Sequence, residues 1–74
     1  MSEEFQPAEF ATEDVMHEYE VVRQSGLNMF NYYGVIDIAS RLDMAELPFI
    51  EKDEYFYILQ HFSKLMKFYD IQQP

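Results

Sequence analysis

The sequence predicts an all-α fold, a small three-helix domain with an acidic, partly irregular N-terminal arm. Apolar residues recur at helical spacing in three segments, and residues that cap or end helices separate those segments. The chain has 74 residues, which leaves room for one domain only. We therefore expect a single domain over residues 1–74, with residues 1–11 as the arm and residues 12–74 as the helical core.

The first helix is predicted over residues 12–25. Thr12 is a favourable N-cap residue, and Glu13 and Asp14 in the first turn oppose the positive end of the helix dipole. Gly26 is expected to take the left-handed conformation that commonly follows the last turn of a helix. The apolar residues at helical spacing are Val15, Met16, Tyr19 and Val22.

The second helix is predicted over residues 31–43 and is followed by a connecting turn. Asn31 can cap this helix, and Pro48 disfavours helical geometry in the residue before it. We expect Phe49 and Ile50 to enter the core from the connection. The apolar stripe of the second helix consists of Val35, Ile38, Ala39 and Leu42.

The third helix is predicted as one continuous element over residues 53–69. Either Asp53 or Glu51 leads it, and Lys64 and Lys67 lie toward its C-terminal end, as the helix dipole favours. One face of this helix should supply much of the core. That face carries Tyr55, Ile58, Leu59, Phe62, Leu65, Met66 and Tyr69.

The composition limits how the fold can be stabilised and where the protein acts. Hydrophobic residues make up 49% of the chain and cysteine is absent, so packing must stabilise the fold without disulfides or thiolate metal sites. Apolar runs are too short to span a bilayer, which needs about 20 residues. The N-terminus lacks the basic and apolar pattern of a secretion signal, and we expect a cytoplasmic protein.

The charge is strongly negative and unevenly distributed. Fourteen acidic and five basic residues give a net charge of -9, and residues 1–20 contain seven acids, including Glu3, but no lysine or arginine. Such a field repels phosphate backbones and anionic lipid surfaces, so neither direct nucleic-acid binding nor membrane binding is expected. A partner with a basic surface fits this charge, although acidity that serves only solubility explains it as well.

The sequence contains few of the groups that catalysis requires, and no catalytic residue is predicted. His17 and His61 lie on different predicted helices, and no glycine-rich elbow accompanies a serine. Calcium-loop and zinc-ligand spacings are also missing. We therefore expect a protein that is not an enzyme and needs neither a metal nor a cofactor.

The aromatic residues are more numerous than a core of this size can easily bury. Seven phenylalanines and six tyrosines are present, and tyrosine is favoured at protein interfaces. Aromatic residues outside the predicted stripes, together with N-terminal acids, form the predicted partner-binding set. That set is Glu13, Asp14, Glu18, Glu20, Tyr32, Tyr33, Phe56 and Tyr57.

The middle of the chain contains a run of residues with a recognisable pattern. They are Arg23-Gln24-Ser25-Gly26-Leu27-Asn28-Met29-Phe30-Asn31, Val35, Ile38-Ala39, Leu47, Phe49-Ile50 and Tyr55. Over roughly residues 20–60 this pattern resembles a family of short phage and prophage proteins of unknown function, in which an R-x-S-G-x-N-M-F element precedes a V-x-x-I-A helix and a later F-I…Y segment. The resemblance implies a phage setting and no catalytic residue, and it does not extend to the acidic first twenty residues.

Together these features predict a phage-encoded, non-enzymatic accessory protein that binds and modulates or inhibits a host or defence protein. A sharper version is mimicry of nucleic acid, in which carboxylates take the positions of phosphates on a basic groove. The alternative is a structural homo-oligomer or a small subunit of a larger assembly. In that case Phe56, Tyr57 and Phe68 would be buried against a second copy.

Overall fold

The computed structural model describes residues 4–72, and over that range the protein is entirely helical, without a strand. The all-α class predicted from the sequence is therefore confirmed. Glu3, one of the predicted N-terminal acids, lies outside the described residues. The elements are α1 (Glu13–Gln24), α2 (Tyr32–Arg41), a 3₁₀ turn (Leu47–Phe49), α3 (Lys52–Gln60) and α4 (Phe62–Phe68).

Helix α1 begins and ends as its capping residues predict. The Thr12 hydroxyl accepts a hydrogen bond from the Val15 backbone N–H at 3.2 Å, which satisfies a donor that the helix itself leaves free. Gly26 follows the last turn with a φ of 89°, in the left-handed region that favours glycine. The predicted apolar residues Val15, Met16, Tyr19 and Val22 are all buried.

Helix α2 also has its predicted cap but ends earlier than predicted. The Asn31 side chain accepts from the Gly34 N–H at 3.2 Å, and Val35 and Ala39 are fully buried. The helix stops at Arg41, and Leu42 is 57% exposed, so the last position of the predicted stripe is wrong.

The connection between α2 and α3 places Phe49 on the surface, contrary to prediction. Leu47 and Ile50 are buried, whereas Phe49 is 80% exposed. In a 3₁₀ turn the side chains of residues i and i+3 lie on the same side. Leu47 and Ile50 therefore share the inner side of this turn, and Phe49 points outward.

The predicted third helix is in fact two helices that meet at His61. The backbone leaves helical geometry there, with φ of -112° and ψ of 20°, although neither proline nor glycine occurs from Lys52 to Phe68. Beyond the break the Phe62 ring lies 5.3 Å from the ring of Tyr19 on α1. We attribute the break to this tertiary packing, because the local sequence gives no reason for it.

The described part of the arm, residues 4–11, is irregular as predicted and docks on α3 and α4. The Tyr57 hydroxyl accepts from the Ala8 N–H at 3.0 Å, and the Tyr69 hydroxyl donates to the Ala11 carbonyl at 2.6 Å. The Phe10 ring packs edge-on against Tyr57, with centroids 5.2 Å apart. These contacts make the arm part of the packed domain.

We predict that Leu65→Ala lowers the free energy of unfolding by about 2 to 5 kcal/mol, because Leu65 is fully buried and its removal leaves a cavity. Leu59 and Phe62, on the same predicted stripe, are only partly buried, so their substitution by alanine should lower the free energy of unfolding less. Urea unfolding followed by circular dichroism measures the loss. Leu42→Ala, at an exposed site, is the matched control and should change stability by no more than about 0.5 kcal/mol. Equal losses for Leu65→Ala and Leu42→Ala would contradict this assignment of the core.

Candidate protein-binding surface

Glu18 proves to be a structural residue that holds the 3₁₀ turn against α1. Its carboxylate accepts hydrogen bonds from three consecutive backbone N–H groups, those of Ala45 at 3.2 Å, Glu46 at 3.1 Å and Leu47 at 2.7 Å. Free N–H groups at the start of a helical turn attract an anion, and here a carboxylate from another helix provides it. The expectation that Glu18 is a solvated, partner-facing carboxylate is therefore wrong.

Glu20 is also committed to internal contacts. It is only 4% exposed, and both guanidinium contacts of Arg23 with its carboxylate measure 2.7 Å. The hydrogen bond from Arg23, with a further one from Gln24, holds the pKa of Glu20 below its usual value. Because its charge is neutralised and covered, Glu20 cannot present a carboxylate to a partner, and the prediction for this residue is wrong.

Glu13 and Asp14 remain exposed, at the N-terminal end of α1. The Glu13 carboxylate lies 3.5 Å from Nε2 of His17, and both side chains are more than half exposed. The charge of Glu13 also contributes to a raised pKa of Tyr69, after the larger effect of burial. Glu13 therefore lies near Tyr69, which follows the last turn of α4.

The predicted pair of tyrosines at the start of α2 divides into an anchor and an exposed ring. Tyr32 is partly buried and its hydroxyl donates to the Ile50 carbonyl at 2.6 Å. Tyr33 is 69% exposed, and the ammonium nitrogen of Lys52 lies 5.3 Å from its ring centroid, within the range of a cation–π contact. Tyr33 thus remains a surface residue, whereas Tyr32 holds the start of α2 against the segment that leads to α3.

Phe56 and Tyr57 serve mainly internal packing. Both are only partly buried, but Phe56 packs edge-on against Tyr55 at 5.9 Å and Tyr57 holds the arm through its ring and hydroxyl. The docked arm covers part of Tyr57, through Ala8 and Phe10. Both side chains keep some exposed area, and their place in a binding surface or in a seam with a second copy stays a prediction.

Three aromatic side chains are strongly exposed around the start of α2 and the 3₁₀ turn, and we name them the aromatic patch. They are Phe30, 75% exposed, Tyr33, 69%, and Phe49, 80%. Phe30 and Phe49 are each adjacent in sequence to a residue whose carbonyl accepts from a tyrosine, and Tyr33 follows one of these tyrosines, Tyr32. Tyr55 donates its hydroxyl to the Met29 carbonyl at 2.7 Å, Tyr32 donates to Ile50, and the Tyr32 and Tyr55 rings lie 5.5 Å apart.

The charge around the aromatic patch is negative. Between residues 46 and 54 four acids and one base give a net charge of -3. Burial raises the pKa of Tyr32, and the charges of Tyr33, Glu51, Glu54 and Asp53 raise it further. The three carboxylates lie at the start of α3, next to Lys52, whose ammonium contacts the Tyr33 ring. A partner that contacts the aromatic patch therefore also meets carboxylates from the start of α3.

Sequence reasoning missed Phe30, Phe49 and the carboxylates of α3, although local signals existed for some of them. Glu51 and Glu54 form a reciprocal capping box, in which each side chain accepts from the backbone N–H of the other, and the glutamate at its third position is the part of this pattern that the sequence displays. Phe30 directly precedes the N-cap residue Asn31, a position at the helix end rather than on its buried face. The exposure of Phe49 had no such signal, because it depends on the contact from Glu18.

Two kinds of feature, a metal-ligand cluster and a membrane-spanning helix, do not occur in the described part of the chain. Residues 4–72 contain no group of three or more His, Cys, Asp or Glu side chains that could hold a metal ion. Over the same range no helix is both long and apolar enough to cross a bilayer. The His61 ring lies against Tyr57, 4.4 Å between centroids, so this histidine takes part in aromatic packing.

Comparisons with known proteins identify no relative. No family model matches the chain, and neither a curated protein nor a solved structure matches it. The resemblance of residues 20–60 to short phage proteins therefore stays a prediction.

The first prediction for this region distinguishes a carboxylate that holds the 3₁₀ turn from one that is exposed to solvent. Glu18→Gln removes acceptor capacity from three backbone N–H groups and should destabilise the protein by about 1 to 3 kcal/mol. The matched change Glu13→Gln, at an exposed site, should cost about 0.3 to 1 kcal/mol through the helix dipole. Urea unfolding measures both, and amide exchange should accelerate at Ala45 to Leu47 only in Glu18→Gln. Unchanged exchange there would show that Glu18 does not hold the turn.

The second prediction concerns alkaline pH. Burial raises the pKa of Tyr19 to about 12, and burial likewise raises the pKa of Tyr55 above its usual value. Stability from these groups is present below pH about 10, where unfolded tyrosine ionises, and is lost as pH rises toward about 12. Tyr19→Phe should make that loss shallower, whereas Tyr33→Phe, at an exposed ring, should not. Urea unfolding at a series of pH values tests this, and identical profiles for all three proteins would contradict it.

Proposed function

We propose that the protein is a non-enzymatic accessory protein that binds another protein through the aromatic patch and its surrounding carboxylates. The carrying observation is the exposure of Phe30, Tyr33 and Phe49 on backbone that hydrogen bonds hold in place. Large exposed aromatic residues on a rigid support are the residues that contribute most to protein interfaces. Little conformational entropy is lost when such a support binds, because it is already ordered.

The proposed partner has a surface that is both apolar and basic. Apolar contacts would accommodate the aromatic rings, and lysine or arginine side chains at the rim would pair with Glu51, Asp53 and Glu54. The charge would act mainly on the rate of association and on the choice of partner. Glu13 and Asp14 carry exposed charge on another part of the protein and would contribute to long-range attraction of the same partner.

The setting we propose is a phage-encoded protein that modulates or inhibits a host or defence protein in the bacterial cytoplasm. The segment from Arg23 to Asn31 and its resemblance to short phage proteins support this setting. Nucleic-acid mimicry is the sharper form of the proposal, in which the carboxylates occupy a groove that otherwise holds phosphates. In that form an added DNA duplex would compete with the protein for the partner.

The test places a photo-reactive amino acid at position 49 and, as a control, at the exposed position 40, and identifies cross-linked proteins in a bacterial lysate.

With the purified partner, Phe49→Ala should weaken binding at least tenfold, as loss of an interface anchor does. Leu42→Ala, another exposed apolar residue, should change affinity less than twofold. Binding should also weaken as salt increases. A partner that binds Phe49→Ala as tightly as the wild type would rule out the aromatic patch.

A further inference from the structure

The arm and α4 form an apolar groove on a separate part of the protein. Its volume is about 440 Å³, and its lining comprises Glu4, Phe5, Lys64, Lys67 and Phe68. The Phe5 and Phe68 rings meet edge-on with centroids 6.3 Å apart, and Phe68 is 52% exposed. This volume falls in the range of sites that hold small ligands, so it is large enough to admit an aromatic side chain.

The groove is also the place where two of the five basic residues of this acidic protein lie together. Lys64 and Lys67 are both exposed, and the ammonium nitrogen of Lys64 lies 5.9 Å from the Phe5 ring centroid. Among residues 4–72 neither lysine forms an ion pair, whereas Arg23 and Arg41 are paired with carboxylates of their own helices. The groove thus combines apolar rings with two lysines and the carboxylate of Glu4, and within residues 4–72 neither lysine is paired with an acid.

The chemistry of this groove is complementary to that of the aromatic patch. The patch offers Phe49, an 80% exposed ring, beside the four acids and one lysine of residues 46–54, a net charge of -3. The groove offers two rings beside two lysines and Glu4, a net charge of +1. We propose that the chain associates head-to-tail, with Phe49 of one copy inserted into the Phe5–Phe68 groove of the next copy. Glu51 and Asp53 of the first copy then face Lys64 and Lys67 of the second.

The two surfaces differ, which determines the kind of assembly. A contact between unlike surfaces leaves one free patch and one free groove on every pair, so association continues into rings or filaments rather than stopping at a dimer. The net charge of -9 opposes association at long range. At about 0.15 M salt the screening length is about 8 Å, which reduces this repulsion more than the close ion pairs. Weak association, visible at high protein concentration, is therefore expected.

Sedimentation of the purified full chain tests the proposal without any partner protein. From about 10 µM to about 1 mM, where a small contact is expected to associate, the average mass of the wild type should rise beyond twice the 8.9 kDa of one chain. Phe49→Ala and Lys67→Glu should each stay at 8.9 kDa. Arg41→Glu makes the same change in net charge away from the groove and should behave as the wild type.

Mixing the two variants gives the decisive result. Phe49→Ala retains an intact groove and Lys67→Glu retains an intact patch, so their equimolar mixture can form one productive contact only. A complex of one copy of each, with no larger species, is expected. Both substituted residues are exposed, so each variant should fold as the wild type does, and circular dichroism is the control for this.

Two outcomes would overturn head-to-tail association. One is a wild type that stays monomeric to about 1 mM, and the other is a variant mixture that does not associate although the wild type does. Because these measurements involve only this chain, their failure leaves binding to a partner protein through the patch unaffected. Conversely, a partner protein that binds without contacting the aromatic patch would rule out the proposed function but leave self-association unaffected.

Discussion

The position of the exposed surface depends on the contact between the Glu18 carboxylate and the start of the 3₁₀ turn. Three backbone N–H groups there have no intrahelical acceptor, and leaving such groups unpaired is costly in a folded protein. Glu18 reaches them from α1 at 2.7 to 3.2 Å, which fixes the turn to the first helix. With the turn fixed, Leu47 and Ile50 enter the core and Phe49 must face outward. A carboxylate that appears in the sequence as surface charge thus holds the turn that places Phe49 on the surface.

Tyrosine hydroxyls extend the same arrangement to the other irregular segments. Each of four tyrosines buries part of its ring and joins its hydroxyl to backbone outside its own helix, and the rings and hydroxyls together replace the disulfides that small domains often use. The large number of aromatic residues is therefore explained mainly by stabilisation of the fold. Among the aromatic side chains of residues 4–72, only those of the aromatic patch and Phe68 are strongly exposed. The four contacts are Tyr32 to Ile50, Tyr55 to Met29, Tyr57 to Ala8 and Tyr69 to Ala11.

Local signals predicted most of the fold and little of the surface. The caps Thr12 and Asn31, the left-handed Gly26 and the helical spacing of apolar residues act within one or two turns, and the structure agrees with them. The break at His61 depends on packing between elements. The burial of Glu20 depends on a basic neighbour of a kind that any acidic helix could contain. For the same reason the sequence did not distinguish Glu18, which contacts residues 27 to 29 positions away, from Glu13, which faces solvent.

The two proposals place one side chain, Phe49, in two contacts that exclude each other. A copy whose Phe49 occupies the groove of its neighbour cannot offer that ring to a partner protein, so the two equilibria are linked. By mass action a partner that binds the aromatic patch withdraws copies from the assembly, and the assembly lowers the apparent affinity for the partner. Without a partner, self-association would cover an aromatic side chain that is 80% exposed in the single chain. Because the proposed association is weak, it would cover Phe49 only at high protein concentration, and at lower concentration the ring stays available to a partner.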